Sequence, residues 1–367
     1  MQSCPLPPYF SRNQAVGGQE KCTPRFLRAG VPRAVLLIIW GFVAVGGVWS
    51  QTNYTWDNGG DGTSWNDSDN WSPNGVPGGD PGDTATINAA PAVNALGTAD
   101  GVPGAVTIAG LTLNGGATLT MDQSLTVNGT AEVFTGTLDT GGQALSVTTL
   151  DARGTLNGSV VVTVADAASF GDGTTAPTID PTLGFDVVND TTIDIGAGND
   201  LSLSNASNDF STVLVSTGNN VTLVDADAIV LGGATINGTL DVTAGGNITD
   251  TGGFISVIGA GIFDAGANNI SLTDTTFGDL TVTGGNVTIR ENDAITDGGA
   301  WATGATALNA GVNDIDLDEA GSTTGALDLT GGTATVDRNA AIDIVGGAVT
   351  TLNLTSGADI TDTGQIT

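Results

Sequence analysis

From Ala105 onward, apolar and polar positions alternate in short runs: Val106-Thr107-Ile108, Leu111-Thr112-Leu113, Leu119-Thr120-Met121, Leu125-Thr126-Val127, and later Val287-Thr288-Ile289 and Leu352-Asn353-Leu354. A period of two places the aliphatic side chains on one face and the threonines on the other, which predicts short strands with one buried face. No window carries a 3.6-residue stripe. The 56 glycines would each weaken a helix by about 1 kcal/mol relative to alanine. The expected fold class is therefore all-β.

Two architectures satisfy this pattern. Asn-Gly pairs beginning at Asn114, Asn128, Asn157 and Asn237 are hairpin signals and favour an array of antiparallel β-sandwiches. Self-similarity favours a solenoid. The block Ala197-Gly198-Asn199-Asp200-Leu201-Ser202-Leu203 returns around Ile270 and again around Ile315, at spacings of 69 and 45 residues. Val282-Thr283-Gly284-Gly285 through Ile289 returns at Leu329 through Val336, a shift of 47, and Ile248-Thr249-Asp250-Thr251-Gly252 reappears at Ile360. Taken as whole multiples, these spacings give a unit of roughly 20 to 23 residues with two or three short strands, the size of one coil of a parallel β-helix. The expected solenoid covers residues 105–367, with roughly a dozen coils and a rod of about 55 Å.

Residues 51–104 differ, holding Tyr54, Trp56, Trp65 and Trp71 with Pro73, Pro77 and Pro81. Aromatics gathered at one end of a solenoid predict a cap over the first coil. Residues 1–50 read as a leader and signal peptide: Lys21, Arg25, Arg28 and Arg33 precede an apolar run from Ala34 to Val48, which is shorter than a membrane-spanning helix requires. This leader is long and rich in proline, which fits an extended leader or initiation near Val31. The sequence stops at Thr367 inside the third returning block, so the repeats are expected to continue in a longer protein.

Tyr54-Thr55-Trp56, Thr63-Ser64-Trp65, Asp69-Asn70-Trp71, Val76-Pro77-Gly78 and Gly82-Asp83-Thr84-Ala85-Thr86-Ile87 resemble the start of bacterial autotransporter-associated β-strand-repeat proteins. Gly285-Asn286-Val287-Thr288-Ile289 and Asn313-Asp314-Ile315 look like blocks of filamentous-haemagglutinin-like surface proteins. The resemblance implies a right-handed parallel β-helix, secretion in a double-membrane bacterium through an outer-membrane translocator, and an adhesive or structural role. It supplies no catalytic residues. The Asn-Pro-rich secretion signature of two-partner exoproteins is missing, with only Ser72-Pro73-Asn74-Gly75 nearby.

Charge narrows the chemistry further. Five of the eight basic residues and one of the 39 acids lie in residues 1–50, along with Cys4 and Cys22, which leaves three and 38 and a net charge of about −35. That field repels nucleic acid and anionic membrane and favours divalent cations or basic partners. Beyond residue 50 there is no His, Cys or Lys, so nucleophilic triads, the usual zinc sites, P-loops and Schiff bases cannot be built.

Carboxylates remain. Asp314, Asp316 and Asp318 alternate on one strand about 7 Å apart, a spacing for calcium between coils, for a glycosidase pair, or for a plain solvated face. The solvated face is the simplest reading, with Ile315 and Leu317 pointing inward. Asp57, Asp61, Asp67 and Asp69 form a second calcium candidate, although Gly59 stands where an EF-hand loop needs an oxygen ligand. Gly196 through Asp200 imitates one calcium nonapeptide of toxin-type repeats without tandem copies. A lyase needs a base beside acidic ligands, whereas Arg153, Arg290 and Arg338 stand in separate repeats with no aromatic sugar platform in the adjoining sequence.

The expectation is a secreted or outer-membrane-associated cell-surface scaffold without catalysis, adhesive or structural in role. Its partner would be an extracellular ligand such as a host or matrix surface or a polysaccharide. Calcium is the one cofactor the residues suit. A carbohydrate-active β-helix enzyme (polysaccharide lyase or hydrolase) and a calcium-dependent surface-layer component are the alternatives.

Overall fold

The computed structural model describes residues 51–88, 92–94 and 105–367; the leader assigned to residues 1–50 lies outside them, as does part of the predicted cap. Alternating runs become strands with alternating burial, as in Val106–Ile108, Gly110–Leu113 and Leu125–Val133. Strand then stacks on strand in parallel: Leu145, Ser146 and Val147 sit over Leu125, Thr126 and Val127, and Ile270 sits between Ile248 and Val287. The fold is a β-solenoid of about 14 turns, slightly more than the dozen expected. Its core is one continuous column of buried aliphatic and phenylalanine side chains.

Asn-Gly pairs do not make hairpins here. Among the described residues the antiparallel pairing is that of Asn53–Trp56 with Trp71–Ser72. At Asn237 and Gly238 the chain turns onto the next face of the coil, and their amides donate to the carbonyls of Gly218 and Asn219 one coil away, at 3.0 and 2.9 Å. Neither Asn237 nor Gly238 takes the positive φ that a two-residue hairpin turn requires, and the neighbouring coil supplies the hydrogen bonds.

The repeated blocks follow a different rule from the one their spacing suggested. Leu201 stacks on Val221, Leu240, Gly261 and Leu280 in turn. Ile270 stacks with Ile248, Val287, Thr306 and Leu327, and Ile315 with Ile295 and Ala334. The three blocks therefore lie on three different faces. From Val106 onward coils run from 16 residues (Thr275 to Glu291) to 23 (Ala168 to Thr191), the earlier ones being longer at 31 (Asn53 to Thr84) and 26 (Thr84 to Gly110), and a spacing of 69 or 45 is a whole number of the later coils plus one face. What repeats in the sequence is a corner and its following strand, a local solution used on any face.

Corners restrict composition. Gly141 adopts φ 57°, and a Cβ there would overlap the carbonyl oxygen of Met121. Gly141→Ala is expected to lose at least about 1–2 kcal/mol from the left-handed backbone alone, read as a lower denaturation midpoint. A wild-type midpoint would mean the corner is free to relax.

At the N-terminal end the tryptophans make a compact cluster. Trp65 and Trp71 are fully buried, and Trp71 meets Trp56 and Trp65 edge to face with centroids 5.0 and 4.8 Å apart. The Trp71 indole donates to the Trp65 carbonyl at 2.7 Å, and the Trp65 indole to the Pro77 carbonyl at 3.0 Å. Parallel stacking already operates here, since Tyr54, Ala85 and Leu111 share one column.

Candidate functional site

The acids of the tryptophan segment are turned onto their own loop. Asp61 Oδ1 accepts the amides of Thr63 and Ser64, each at 2.9 Å, and the Asn70 side-chain amide at 2.8 Å, while Oδ2 accepts the Ser64 hydroxyl. These bonds, the Ser64 hydroxyl first, hold its carboxyl well below the usual range. Asp67 accepts the amides of Asp61 (2.8 Å) and Asp69 (3.0 Å), Asp57 accepts that of Gly59 (3.0 Å), and Asp69 accepts Asn74 Nδ2 (2.7 Å). Buried Asn70 ties the loop from inside by accepting from Gly60 and Gly62.

On the strand Ile315–Leu317, both aliphatic residues are buried and Asp316 faces out. Asp314 accepts the Thr333 amide at 2.7 Å, and the Asp318 amide donates to Asp297 at 3.0 Å. Partial burial, with the Asp318 charge second, raises the Asp316 carboxyl.

Among the described residues, one group of three acids brings a carboxylate oxygen from each to within 4.8 Å of the others: Asp209, Asp225 and Asp227. None of these was singled out from the sequence. Asp225 is 3% exposed; its Oδ2 accepts the Phe210 amide at 2.7 Å and its Oδ1 the Asp227 amide at 2.9 Å. Burial pushes its carboxyl up to about 6, and the Asp227 and Asp209 charges add to the effect.

Asp225 belongs to a wider pattern of buried polar side chains that satisfy backbone amides where the chain rounds a corner. Asn208 accepts the Phe185 amide at 2.9 Å, Glu291 that of Phe277 at 3.2 Å, Asp297 those of Asp318 and Glu319, and Ser322 that of Trp301 at 2.9 Å. An amide left unpaired in the core would cost about 1–3 kcal/mol. Glu291 is the extreme case: burial first and the neighbouring Asp293 second push its carboxyl up to about 9, so it is protonated at neutral pH.

The three arginines of the described residues have distinct surroundings. Arg338 is buried with no hydrogen-bond partner for Nε, Nη1 or Nη2. The Asp297 carboxylate supplies its opposing charge. Arg290 is exposed beside Asn309 and Val312 in an open cleft. Arg153 lies over the ring of Phe134, 4.6 Å from its centre. An arginine with an aromatic platform was not expected from the sequence, because Phe134 is brought to Arg153 by stacking of coils and not by proximity along the chain.

Comparison with known families agrees with the repeat architecture. Residues 218–276 and 267–330 match the model of a family described as repeats of unknown function (DUF5649). No curated protein and no solved structure gives a significant match. The chain is thus a repeat protein with a β-solenoid fold.

Proposed function

We propose that this protein is an exported scaffold of a bacterial cell surface, adhesive or structural in role and without catalysis. The observation that carries the reading is the unbroken parallel stacking from Asn53–Trp56 to Ile360–Ile366, which presents a long regular flank to solvent. Burying short aliphatic side chains coil by coil needs no ligand, and the flank is then free to contact an extended partner. The acids whose carboxyls are raised by burial support the same reading, because Asp225, Glu291 and Asp297 each accept a backbone amide. Resemblance of the tryptophan segment to autotransporter-associated repeats, and the basic-apolar leader, support export across two membranes to an outer-membrane surface.

Two other readings rest on particular residues. Asp209, Asp225 and Asp227 favour a calcium-linked surface-layer role. A lyase or hydrolase would require a base and carboxylates converging in one groove, whereas Arg338 is buried and Arg153 and Arg290 line separate clefts.

One experiment separates the three. The full chain is passed over immobilised polysaccharides and matrix proteins, in calcium and then in chelator, and the eluate is assayed for new reducing or unsaturated sugar ends. Saturable retention in both buffers with no new ends is expected. Retention only with calcium would transfer the function to the acidic trio, and release of sugar ends would replace the scaffold with an enzyme.

A further inference from the structure

We infer that the cleft formed by Phe134, Thr135, Arg153, Asp172 and Thr175 binds a neutral glycan. Its volume is about 300 Å³, within the lower range of small-ligand sites. Three coils contribute, with Phe134 and Thr135 following the strand Leu125–Val133, Arg153 following Leu145–Ala152, and Asp172 following Ala168–Phe170. Each strand stacks directly on its predecessor, so the cleft spans about 10 Å along the solenoid axis.

The groups in this cleft are fixed before any ligand arrives. Arg153 Nε donates to Asp151 Oδ1 at 3.0 Å and Nη2 to Asp151 Oδ2 at 2.7 Å, a bidentate clamp that sets the plane of the guanidinium over Phe134. Its side chain remains 35% exposed. Asp172 Oδ1 accepts the Thr174 amide at 3.0 Å, the Thr174 hydroxyl at 2.7 Å and the Thr175 amide at 3.0 Å. Arg153 Nη1 and Asp172 Oδ2 carry no hydrogen bond to the described residues. A planar donor, a carboxylate acceptor and two threonine hydroxyls therefore border one half-apolar floor, an arrangement suited to a polyhydroxylated ring.

Charge and access narrow the ligand class. Asp151, Asp172 and Glu132 all act on the Arg153 charge, giving the cleft a net negative charge within a strongly acidic chain, so uronates and sulfated sugars are repelled. Purely apolar ligands find the upper face of Phe134 covered by the guanidinium. A basic peptide is the remaining rival. Asp172 offers it an acid and Arg153 a repelling charge, so oligolysine is one of the probes that decide the assignment. This inference deepens the adhesive reading by giving it a ligand class.

The test uses the full chain and four soluble probes followed by saturation-transfer NMR: a neutral hexose oligomer, a neutral N-acetylhexosamine oligomer, a galacturonate oligomer and oligolysine. Saturable binding to one or both neutral oligomers is expected, weakened about tenfold or more by Arg153→Met and by Asp172→Ala, the effect of losing one charged hydrogen bond. Asp172 is exposed, so its variant keeps the test valid if the arginine variant misfolds. Binding that neither substitution moves, preference for galacturonate, or binding of oligolysine alone would each overturn the assignment. Retention of the Asp172→Ala chain on polysaccharide surfaces at wild-type strength would remove the cleft and leave the scaffold standing. Soluble-oligomer binding without surface retention would do the reverse.

Discussion

Glu291→Gln is expected to raise the melting temperature at neutral and alkaline pH and to flatten its dependence on pH. Glu291 is buried, with a folded-state pKa of about 9 against an ordinary 4.5. Between these values the unfolded chain releases a proton that the folded chain keeps, so stability falls as pH rises from about 4.5 to about 9 and levels off above. At pH 7 the cost is roughly 3 kcal/mol, from about 1.4 kcal/mol per pH unit. Glutamine has the same shape, can accept the Phe277 amide through Oε1, and can donate to the neighbouring Asp293. It keeps the corner bond and removes the titration. Thermal melts of both chains across pH 5 to 9 should converge at the acidic end and diverge toward the alkaline end. Parallel curves would show that Glu291 is ionised in the fold.

Trp71→Ala should be the most damaging single change in the N-terminal segment. The side chain is fully buried, contacts Trp56, Trp65 and Tyr54 edge to face, and donates to the Trp65 carbonyl. Truncating such a residue costs about 3–5 kcal/mol. In a solenoid each coil is supported chiefly by its neighbours, so the loss should stay local. Limited proteolysis should cut the variant first near residues 51–88, while a fragment carrying the later coils persists. Uniform digestion along the chain would instead indicate that the cluster holds the whole column together.

Strand positions and the core were legible because threonine-aliphatic alternation is unambiguous: Val106, Ile108, Leu111 and Leu113 are all buried, as their parity requires. The same parity held information that went unread. Val221-x-Leu223-x-Asp225, Val287-x-Ile289-x-Glu291 and Ala334-x-Val336-x-Arg338 each put a charged residue on the inward side, and all three charged residues are buried. A charge on the core parity at the end of a strand signals a corner amide or charge to be satisfied. The pairing of Phe134 with Arg153 was not legible in the same way. Coils vary from 16 to 31 residues, so no fixed period identifies which side chains become neighbours on adjacent coils. The acids of residues 57–69 read as calcium candidates, and the Asx-type loop bonding they make uses the same residues at the same short spacings as cation binding does.

Twenty residues separate Leu125 from Leu145, its partner one coil on, and every later rung is closed over a comparably short stretch of chain. The entropic cost of each closure is therefore small, and it recurs once per coil without growing with total length. Such a chain can be completed like a zip, each finished coil serving as the template for the next, so that a molecule threaded end first through a narrow opening folds in the order in which it emerges.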